Sequence, residues 1–455
     1  MKTKVIAVAV LLAGISLFAQ DSVPAPAAPE AAIASAEAAK VQSDAAAEVN
    51  KAVSTHVKVS AKSLVADEIK AYCEEVGITI GEVTPKDAIY LKGVERVNER
   101  AMSPNFVRSR TMAYEKAYHK AVASYVMDKF GAESIEQFNT YFRDESSDRL
   151  QPAADAKSTM ERIAEKTQQL AEAKLDEGLR ALGVTPEGSL AQKRKLAEDT
   201  IVRNSMRNAV GSSAGLLPVQ TFEGWNEAGQ YAVGVVIRGG VETETIAECL
   251  RAKKRPALVR PEAGISVKEA MPSDEELVSQ FGVRLFFDRN GAPALLSFAQ
   301  WGSAYTGTDA DAAEDALDHA MVQAEALANE QLTAFINSSI AVKESSEKGE
   351  TKASDALFDA NGVPSEQKTM AFVDRAMKES AIRGTDTLRG RSTVAKKVVV
   401  HPANGHKLAV CVRMWSFGQY DAMTRIVEKP KAPPPAVQPP AGGTQGTRRG
   451  RSYDF

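Results

Sequence analysis

The stretch FAQWGSAYTGTDADAAEDA, residues 298–316, joins a short apolar run to a long pattern of regularly spaced alanines. Gly302 and Gly307 fall at the join and Thr308 and Asp309 follow them, which is close to the G-x-x-x-x-G-K-[ST] loop that cradles phosphates. That loop needs a lysine to reach the phosphates, and here Thr308 takes its place with an acidic residue after it. We therefore interpret the stretch as a strand-to-helix turn, with Thr308 or Asp309 as the N-cap of the helix.

The chain also repeats itself on either side of this turn. The segment EEVGITI at 74–80 aligns with SQFGVRL at 279–285 through Gly77 and Gly282, which are 205 residues apart. Further along, YAVGVVIR at 231–238 aligns with LAVCVRMW at 408–415, 177 residues apart. The order of these matches indicates a duplicated domain whose second copy is shorter in its middle.

Each copy has the pattern of a small α+β unit. Alanines recur every three or four residues along two long helical stretches, which makes a buried stripe that can lie close against a sheet. The predicted fold class is α+β, with two tandem related two-layer domains, each a small, largely antiparallel sheet packed on an Ala-rich long helix. The predicted elements are short helices over 63–75 and 273–280, strands over 78–83, 283–288, 294–301 and 408–415, and long helices over 108–130 and 310–336.

Segments of biased composition lie at both ends of the chain. Residues 1–19 have a basic start, an apolar run and a small residue at the expected cut, which is typical of a secretory signal peptide. Residues 20–62 are an Ala- and Pro-rich linker that we predict to be partly helical. Residues 428–455 are a Pro- and Gly-rich basic tail that we predict to be disordered. The predicted domains are 63–247 for the first copy and 273–427 for the second, with a linker over 248–272.

Composition excludes some classes of function. The net charge of −3 gives no bulk positive charge to neutralise phosphates, so we expect no nucleic-acid binding. No stretch after the signal peptide has the roughly 20 apolar residues of a transmembrane helix, so we expect no membrane span. Three widely spaced cysteines, Cys73, Cys249 and Cys411, do not suggest a disulfide scaffold or a zinc site, and we expect free or buried thiols.

No residue set has the spacing of a catalytic, metal or cofactor site, and we predict none of these. Asp309 and Asp311 could hold a metal, but carboxylates at a helix start already stabilise the helix dipole. His401 and His406 bracket a turn, where two histidines alone are a weak ligand set, and we expect them to be solvent-facing or partly packed. Cys411 has no activating partner in its sequence neighbourhood, so we expect an inert, buried thiol.

Candidate surface-binding residues are the tryptophans and the basic residues of the tail. An exposed tryptophan can stack on a glycan, although the two that close strands can equally pack at the rim of a core. The basic tail could add attraction to anionic polymers. The candidates are Trp225, Trp301, Trp415, Arg448, Arg449 and Arg451.

The second copy resembles a known type of domain. Its succession of LLSFAQWGSAY, DADAAEDALDHAMVQAEALANEQL and ANGHKLAVCVRMW is similar to the α/β domain of small bacterial outer-membrane lipoproteins and to the N-terminal domain of flagellar assembly protein T. Related domains recur in secreted bacterial proteins of unknown function. The resemblance covers 280–420 clearly and 75–240 faintly. It implies a non-catalytic domain of the cell envelope, although this chain has no lipobox cysteine for a lipid anchor.

These observations favour an exported, periplasmic or secreted protein that acts as a non-catalytic structural or binding module for an envelope protein or cell-wall polymer. The alternative is a hydrolase acting on an envelope polymer, with a site between the two domains. A small-ligand receptor with two parallel-sheet lobes is disfavoured by the alternating strands. A deep cleft holding His401, His406 or residues 309–315 beside Cys411 would favour the hydrolase, whereas two closed cores with shallow surfaces would favour binding.

Overall fold

Two antiparallel sheets and two long helices dominate the architecture. The structure is a computed structural model that describes residues 59–143, 149–151, 155–213, 215–252, 254–257, 259–303, 305–347, 367–371, 373–374, 389–402 and 404–428. The predicted signal peptide, nearly all of the predicted linker 20–62, and the predicted tail beyond Glu428 lie outside the described residues.

The first half starts with one helix, one strand and the first long helix. These are α1 (Ala61–Val76), β1 (Ala88–Val97) and α2 (Phe106–Tyr141). Three further helices, two strands and a closing helix follow: α3 (Ala156–Gln169), α4 (Glu172–Ala181), α5 (Leu190–Gly211), β2 (Leu217–Trp225), β3 (Tyr231–Gly240) and α6 (Val241–Arg251).

The second half has a similar succession with fewer helices in its middle. It begins with the short helices α7 (Val267–Ala270) and α8 (Asp274–Leu277). It continues with β4 (Gly282–Phe287), β5 (Pro293–Gly302), the long helix α9 (Ala310–Glu347), β6 (Arg391–Val400), β7 (Lys407–Ser416) and α10 (Phe417–Glu428).

Sheet topology confirms the α+β fold with two related halves. The strand order is β1-β3-β2 in the first sheet and β4-β5-β7-β6 in the second, so β1, β3 and β2 correspond to β5, β7 and β6. All neighbouring strands pair antiparallel. Strands β1 and β5 start 205 residues apart, as the alignment predicts, and β3 and β7 start 176 residues apart, one fewer than the alignment gives.

The aligned glycines share a left-handed backbone conformation. Gly77 has φ +68° and ends α1, where its N–H donates to the carbonyls of Cys73 and Glu74. Gly282 has φ +75° and lies just beyond α8, where β4 begins. A left-handed residue after a helix favours glycine because a side chain is strained there. This shared requirement explains why the two glycines match in sequence.

Each sheet is covered by helices on both faces. Helix α1 packs on one face of the first sheet, and α2 packs on the other face and reaches β5 of the second sheet. Helix α9 covers the opposite face of the second sheet, together with α6. One apolar core runs through both halves, and the described residues belong to one compact unit, Val59–Phe455. The domain boundaries given above therefore stay a prediction.

Some predicted elements differ from the structure. The predicted strand 78–83 is wrong, because only isolated bridges form there, from Ile80 to Tyr90 and from Val83 to Ile89. One edge strand of that half is instead β1, which carries charged residues and Gly93. Helix α2 packs so closely on β1 that a Cβ at Gly93 would overlap the carbonyl of Ala117. Both long helices extend about ten residues beyond their predicted ends.

The turn at 302–309 is structural, as its sequence predicts. Asp309 Oδ1 accepts a hydrogen bond from the N–H of Ala312 at 3.0 Å, so Asp309 is the N-cap of α9. Gly302 ends β5 where α2 of the other half crosses, and an added Cβ would overlap the side chain of Val107. The glycine therefore allows close packing between the halves.

Replacing Gly302 by alanine should destabilise the protein by about 1–3 kcal/mol, because Val107 is buried and must shift. Gly307→Ala is the matched control within the same turn. A Cβ there meets only the end of the Tyr305 side chain, and the expected cost is below about 1 kcal/mol. Urea denaturation followed by circular dichroism measures both. Equal losses would contradict a packing role specific to Gly302.

Candidate functional site

A buried polar cluster joins the two halves where their sheets meet. We name Arg110, Glu223, Tyr231, Gln300 and His401 the seam cluster. Arg110 of α2 is fully buried and donates to the Glu223 carboxylate on β2 and, at 2.8 Å, to Gln300 Oε1 on β5. Tyr231 also donates to Glu223, and His401 Nε2 lies 3.7 Å from Glu223 Oε2. One arginine thus connects carboxylate and amide acceptors from both sheets.

Gln300 extends this cluster to the segment that leads into β4. Its side-chain N–H groups donate to the carbonyls of Leu277 and Val278 at 2.9 Å, and to that of Gln280 at 2.7 Å. Arg110 also donates to the Val278 carbonyl. The arginine and the glutamine together hold the end of α8 against α2, which fixes where β4 starts.

Electrostatics favour an ionised Glu223. Burial raises the pKa of its carboxyl, but the Arg110 charge and hydrogen bonds from His401, Arg110 and Tyr231 outweigh burial and lower the pKa to about 2. Burial and the Glu223 charge raise the pKa of Tyr231, so its hydroxyl stays a donor. The seam cluster is therefore a buried ion pair whose acceptors are hydrogen-bonded. Its role is to hold the structure together.

The hairpin between β6 and β7 packs against the first half through its histidines. His401 is 2% exposed, and its ring lies edge-on to Phe106 of α2, with ring centres 5.5 Å apart. His406 Nε2 lies 3.1 Å from the Ala101 carbonyl, to which Asn404 also donates at 2.8 Å. His401 is thus more deeply buried than the solvent-facing or partly packed position expected for both histidines, whereas His406 is partly packed, as expected.

A cleft of about 680 Å³ opens between the two long helices, above the edge strands β2 and β4. Its floor comes from the starts of both strands, and its walls come from α2 and α9. Because each half supplies one wall and part of the floor, the cleft exists only when both halves are in place. The lining residues are Tyr114, Glu115, Tyr118, His119, Leu216, Pro218, Gly282, Val283, Leu327, Glu330, Gln331, Ala334 and Phe335.

Several lining side chains are held in place by contacts below the surface. The Tyr118 hydroxyl donates to the Leu216 carbonyl at 3.0 Å, and Gln331 Oε1 accepts from the Ser297 hydroxyl at 2.8 Å. Burial raises the pKa of Tyr114 and of Tyr118, so both keep neutral phenols. Gly282 lets the Tyr114 hydroxyl approach the backbone, because a Cβ there would overlap it. The cleft is therefore largely pre-formed.

The charged groups of the cleft are mostly acidic. Glu115 and His119 lie one turn apart on α2, and Glu330 lies on α9. His119 Nδ1 is 3.4 Å from Asp374 Oδ1. Among the lining residues, all within the described chain, there is no Lys, Arg, Ser, Thr or Cys. The cleft thus offers apolar surface and carboxylates.

The tryptophans occupy three different environments. Trp225 is 57% exposed and its ring stacks on Tyr231 with centres 5.6 Å apart, and Trp301 is half-buried with Arg108 Cζ 5.6 Å from its ring centre. Trp415 is only 2% exposed and donates to the Arg389 carbonyl at 2.9 Å, so it cannot serve as surface-binding residue. Arg448, Arg449 and Arg451 lie outside the described residues.

Other sequence candidates stay apart from the cleft. Cys73, Cys249 and Cys411 are free thiols, and burial raises the pKa of Cys411 to about 11, which suits an inert thiol. Within the described ranges, no three His, Cys, Asp or Glu side chains come together as a metal site. Neither the histidine turn, nor residues 309–315, nor Cys411 lines the cleft.

Sequence reasoning missed the cleft residues. The sequence held one usable signal: residues four apart on α2 lie on the same face of the helix. Tyr114 and Tyr118 form one such pair, and Glu115 and His119 form a second pair beside it. Nothing in the sequence shows that these stripes meet α9 of the other half.

Comparisons with known proteins give a domain of unknown function and one similar structure. Residues 160–252, which span most of α3 through α6, match a domain of unknown function (DUF6844). The crystal structure of hypothetical protein FTT1539c from Francisella tularensis is similar, with 20% identity and a TM-score of 0.47. The match covers 79% of this chain and 92% of that chain. None of the curated proteins matches the chain. In the part of the chain that is described, no helix has the length and apolar character needed to span a membrane.

Proposed function

We propose that this protein is an exported module of the bacterial envelope that acts by binding, and that the cleft between α2 and α9 receives its partner, an envelope protein or cell-wall polymer. The cleft is the observation that carries the proposal. It lies where two duplicated halves meet, is largely pre-formed, and has the mostly apolar lining of ligand sites. The sequence features of export and the resemblance to envelope lipoproteins and flagellar assembly protein T support the location.

Binding is favoured over catalysis by the chemistry of the lining. Acyl transfer through a hydroxyl, thiol or amine nucleophile needs a Ser, Thr, Cys or Lys, and the described lining contains none of these. The residues that would have favoured a hydrolase, His401, His406 and Cys411, lie elsewhere in the fold.

The alternative function is a hydrolase acting on an envelope polymer, and one observation favours it. Glu115 and Glu330 line the cleft from opposite helices, as a pair of carboxylates does in glycoside hydrolysis. Incubating the protein with purified envelope polysaccharide and measuring released reducing ends tests this alternative. Release that disappears in Glu115→Gln would establish it.

Filling the cleft should remove binding. We expect 1-naphthylmethanol, a neutral apolar fluorophore, to bind the chain from residue 20 onward, and an envelope extract to displace it. Ala334→Trp places an indole inside the cleft and should weaken probe binding at least about tenfold. Fluorescence titration measures the affinity, and N-terminal sequencing of the envelope-fraction protein checks that it starts at residue 20.

Ala326→Trp is the matched control, because Ala326 lies on the exposed side of the same helix. It should leave probe binding unchanged. Since Ala334 is buried, thermal melts must show that the Ala334→Trp variant is folded; Leu327→Trp, at a half-buried lining position, is the second blocking variant. Unchanged probe affinity in both blocking variants, or displacement by cytoplasmic extract alone, would refute the proposal.

A further inference from the structure

We propose that the group of the partner that enters the cleft has an apolar body and one positive charge, an ammonium or a guanidinium. This inference rests on the proposed function, because it names the ligand class of the same cleft. It goes further in assigning a charge to the ligand and a role to Glu115 and Glu330.

The apolar body follows from the floor and the α9 wall. Leu216, Pro218 and Val283 form the floor, and Leu327 and Phe335 form the wall, so a ligand that enters buries apolar surface against them. A highly polar ligand would lose hydration here without gaining enough hydrogen-bond partners.

The positive charge follows from the rim. Two carboxylates, Glu115 and Glu330, line the cleft from both helices, and the acidic Asp374 lies beside the lining residue His119. Both glutamates have contacts of their own within the protein. A carboxylate offers about four acceptor positions, so it can accept from a ligand ammonium while keeping such contacts. An ionised donor makes the stronger kind of hydrogen bond with it.

Aromatic rings add to this preference. Tyr114 and Tyr118 line the cleft on the same side of α2 as Glu115, and their rings stack loosely, with centres 6.4 Å apart. Because the Tyr118 hydroxyl is engaged with the Leu216 carbonyl, its ring is fixed before a ligand arrives. The half-buried Tyr118 ring can therefore attract a cation at its face, whereas Tyr114 is buried, with its ring stacked on Phe281, and supports Tyr118 from behind.

The same groups disfavour an anion. Within the described lining no lysine or arginine could pair with a carboxylate or phosphate of the ligand. An anion would therefore lose hydration and meet like charges, which lowers affinity. The cleft is thus expected to rank ligands of one shape by charge, in the order positive, neutral and negative.

Three probes with one naphthyl ring test this ranking. They are 1-naphthylmethylamine, which is an ammonium at pH 7, the neutral alcohol 1-naphthylmethanol, and 1-naphthaleneacetate, which is a carboxylate at pH 7. We expect the ammonium to bind about tenfold tighter than the alcohol, and the acetate to bind more weakly than the alcohol. The double variant Glu115→Gln/Glu330→Gln should lose most of the preference for the ammonium over the alcohol. Calorimetric titration of the chain from residue 20 onward measures all affinities.

The matched control is Glu136→Gln/Glu314→Gln, which removes the same charge from exposed positions of the same two helices, outside the cleft. It should keep the preference for the ammonium. If the alcohol binds in the cleft but the charge ranking is absent, or survives in Glu115→Gln/Glu330→Gln, the charge inference fails and the proposed function stands. If no probe binding responds to Ala334→Trp or Leu327→Trp, both fail.

Discussion

Arg110→Ala should destabilise the protein by about 3–5 kcal/mol, the largest loss expected from a single substitution in this fold. The substitution leaves Glu223 buried without the arginine that compensates its charge. It also removes the donors to Gln300 and to the Val278 carbonyl, so the start of β4 loses its attachment to α2. Chemical denaturation followed by circular dichroism measures the free energy of unfolding.

Arg108→Ala is the matched control for this loss. Arg108 lies two residues earlier on the same helix, is exposed, and contacts only the face of Trp301 among its described contacts. Its expected cost is about 0.5–1 kcal/mol, the usual strength of an exposed cation–π contact. Equal effects of the two variants would show that the seam cluster does not hold the halves together.

A double variant shows how much of the lost stability comes from leaving the Glu223 charge buried without a partner. Replacing both charges by apolar residues, as Arg110→Met/Glu223→Leu, should restore part of the stability lost in Arg110→Ala, because no uncompensated charge is left in the seam. Recovered stability would mean that the ion pair determines how the two halves dock more than it adds to the free energy of unfolding. A double variant as unstable as Arg110→Ala would instead assign the loss to packing or to the contacts with Gln300.

The duplication could be predicted from the sequence because local chemistry repeats. Gly77 and Gly282 match since both have a left-handed backbone, at the end of α1 and at the start of β4, and β3 and β7 match since both are central, buried strands. Such requirements act within a few residues, so the same residue types satisfy them in each half. The N-cap at Asp309 belongs to the same class of local signal.

Strand β1 could not be predicted by the same reasoning. Lys92, Glu95 and Arg96 interrupt its apolar alternation, and Gly93 is unfavourable in a strand unless another backbone approaches closely. The helix α2 makes that approach at Ala117, a contact that no local pattern contains. Tertiary packing therefore decides this strand against its local propensity.

The seam cluster and the cleft were beyond sequence analysis for a related reason. Arg110 lies 113 residues from Glu223 and 190 residues from Gln300 along the chain. The cleft likewise combines one helix from each half. A single sequence shows which side chains are polar, but the meeting of α2 with the second sheet depends on how the duplicated halves dock.

The stability that the Arg110–Glu223 ion pair contributes should depend on pH and be lost in acid. The pKa of Glu223 is lowered from 4.5 to about 2 in the folded protein, so the unfolded chain binds a proton there at higher pH than the folded chain. Its contribution is fully present above about pH 4.5 and is lost as the pH falls toward 2. The shift corresponds to about 3 kcal/mol.

Glu223→Gln should lose this pH dependence while keeping a side chain of similar size. Denaturation midpoints between pH 7 and pH 2 would show a steeper fall for the wild-type protein than for Glu223→Gln, and Glu136→Gln, at an exposed position of α2, should follow the wild type. In Arg110→Ala, burial still raises the pKa of Glu223 but the opposing charge is gone, so the acid-linked loss should shrink well below 3 kcal/mol. Parallel pH curves for wild type and Glu223→Gln would contradict a buried, ionised Glu223, and with it the electrostatic account of how the two halves are joined.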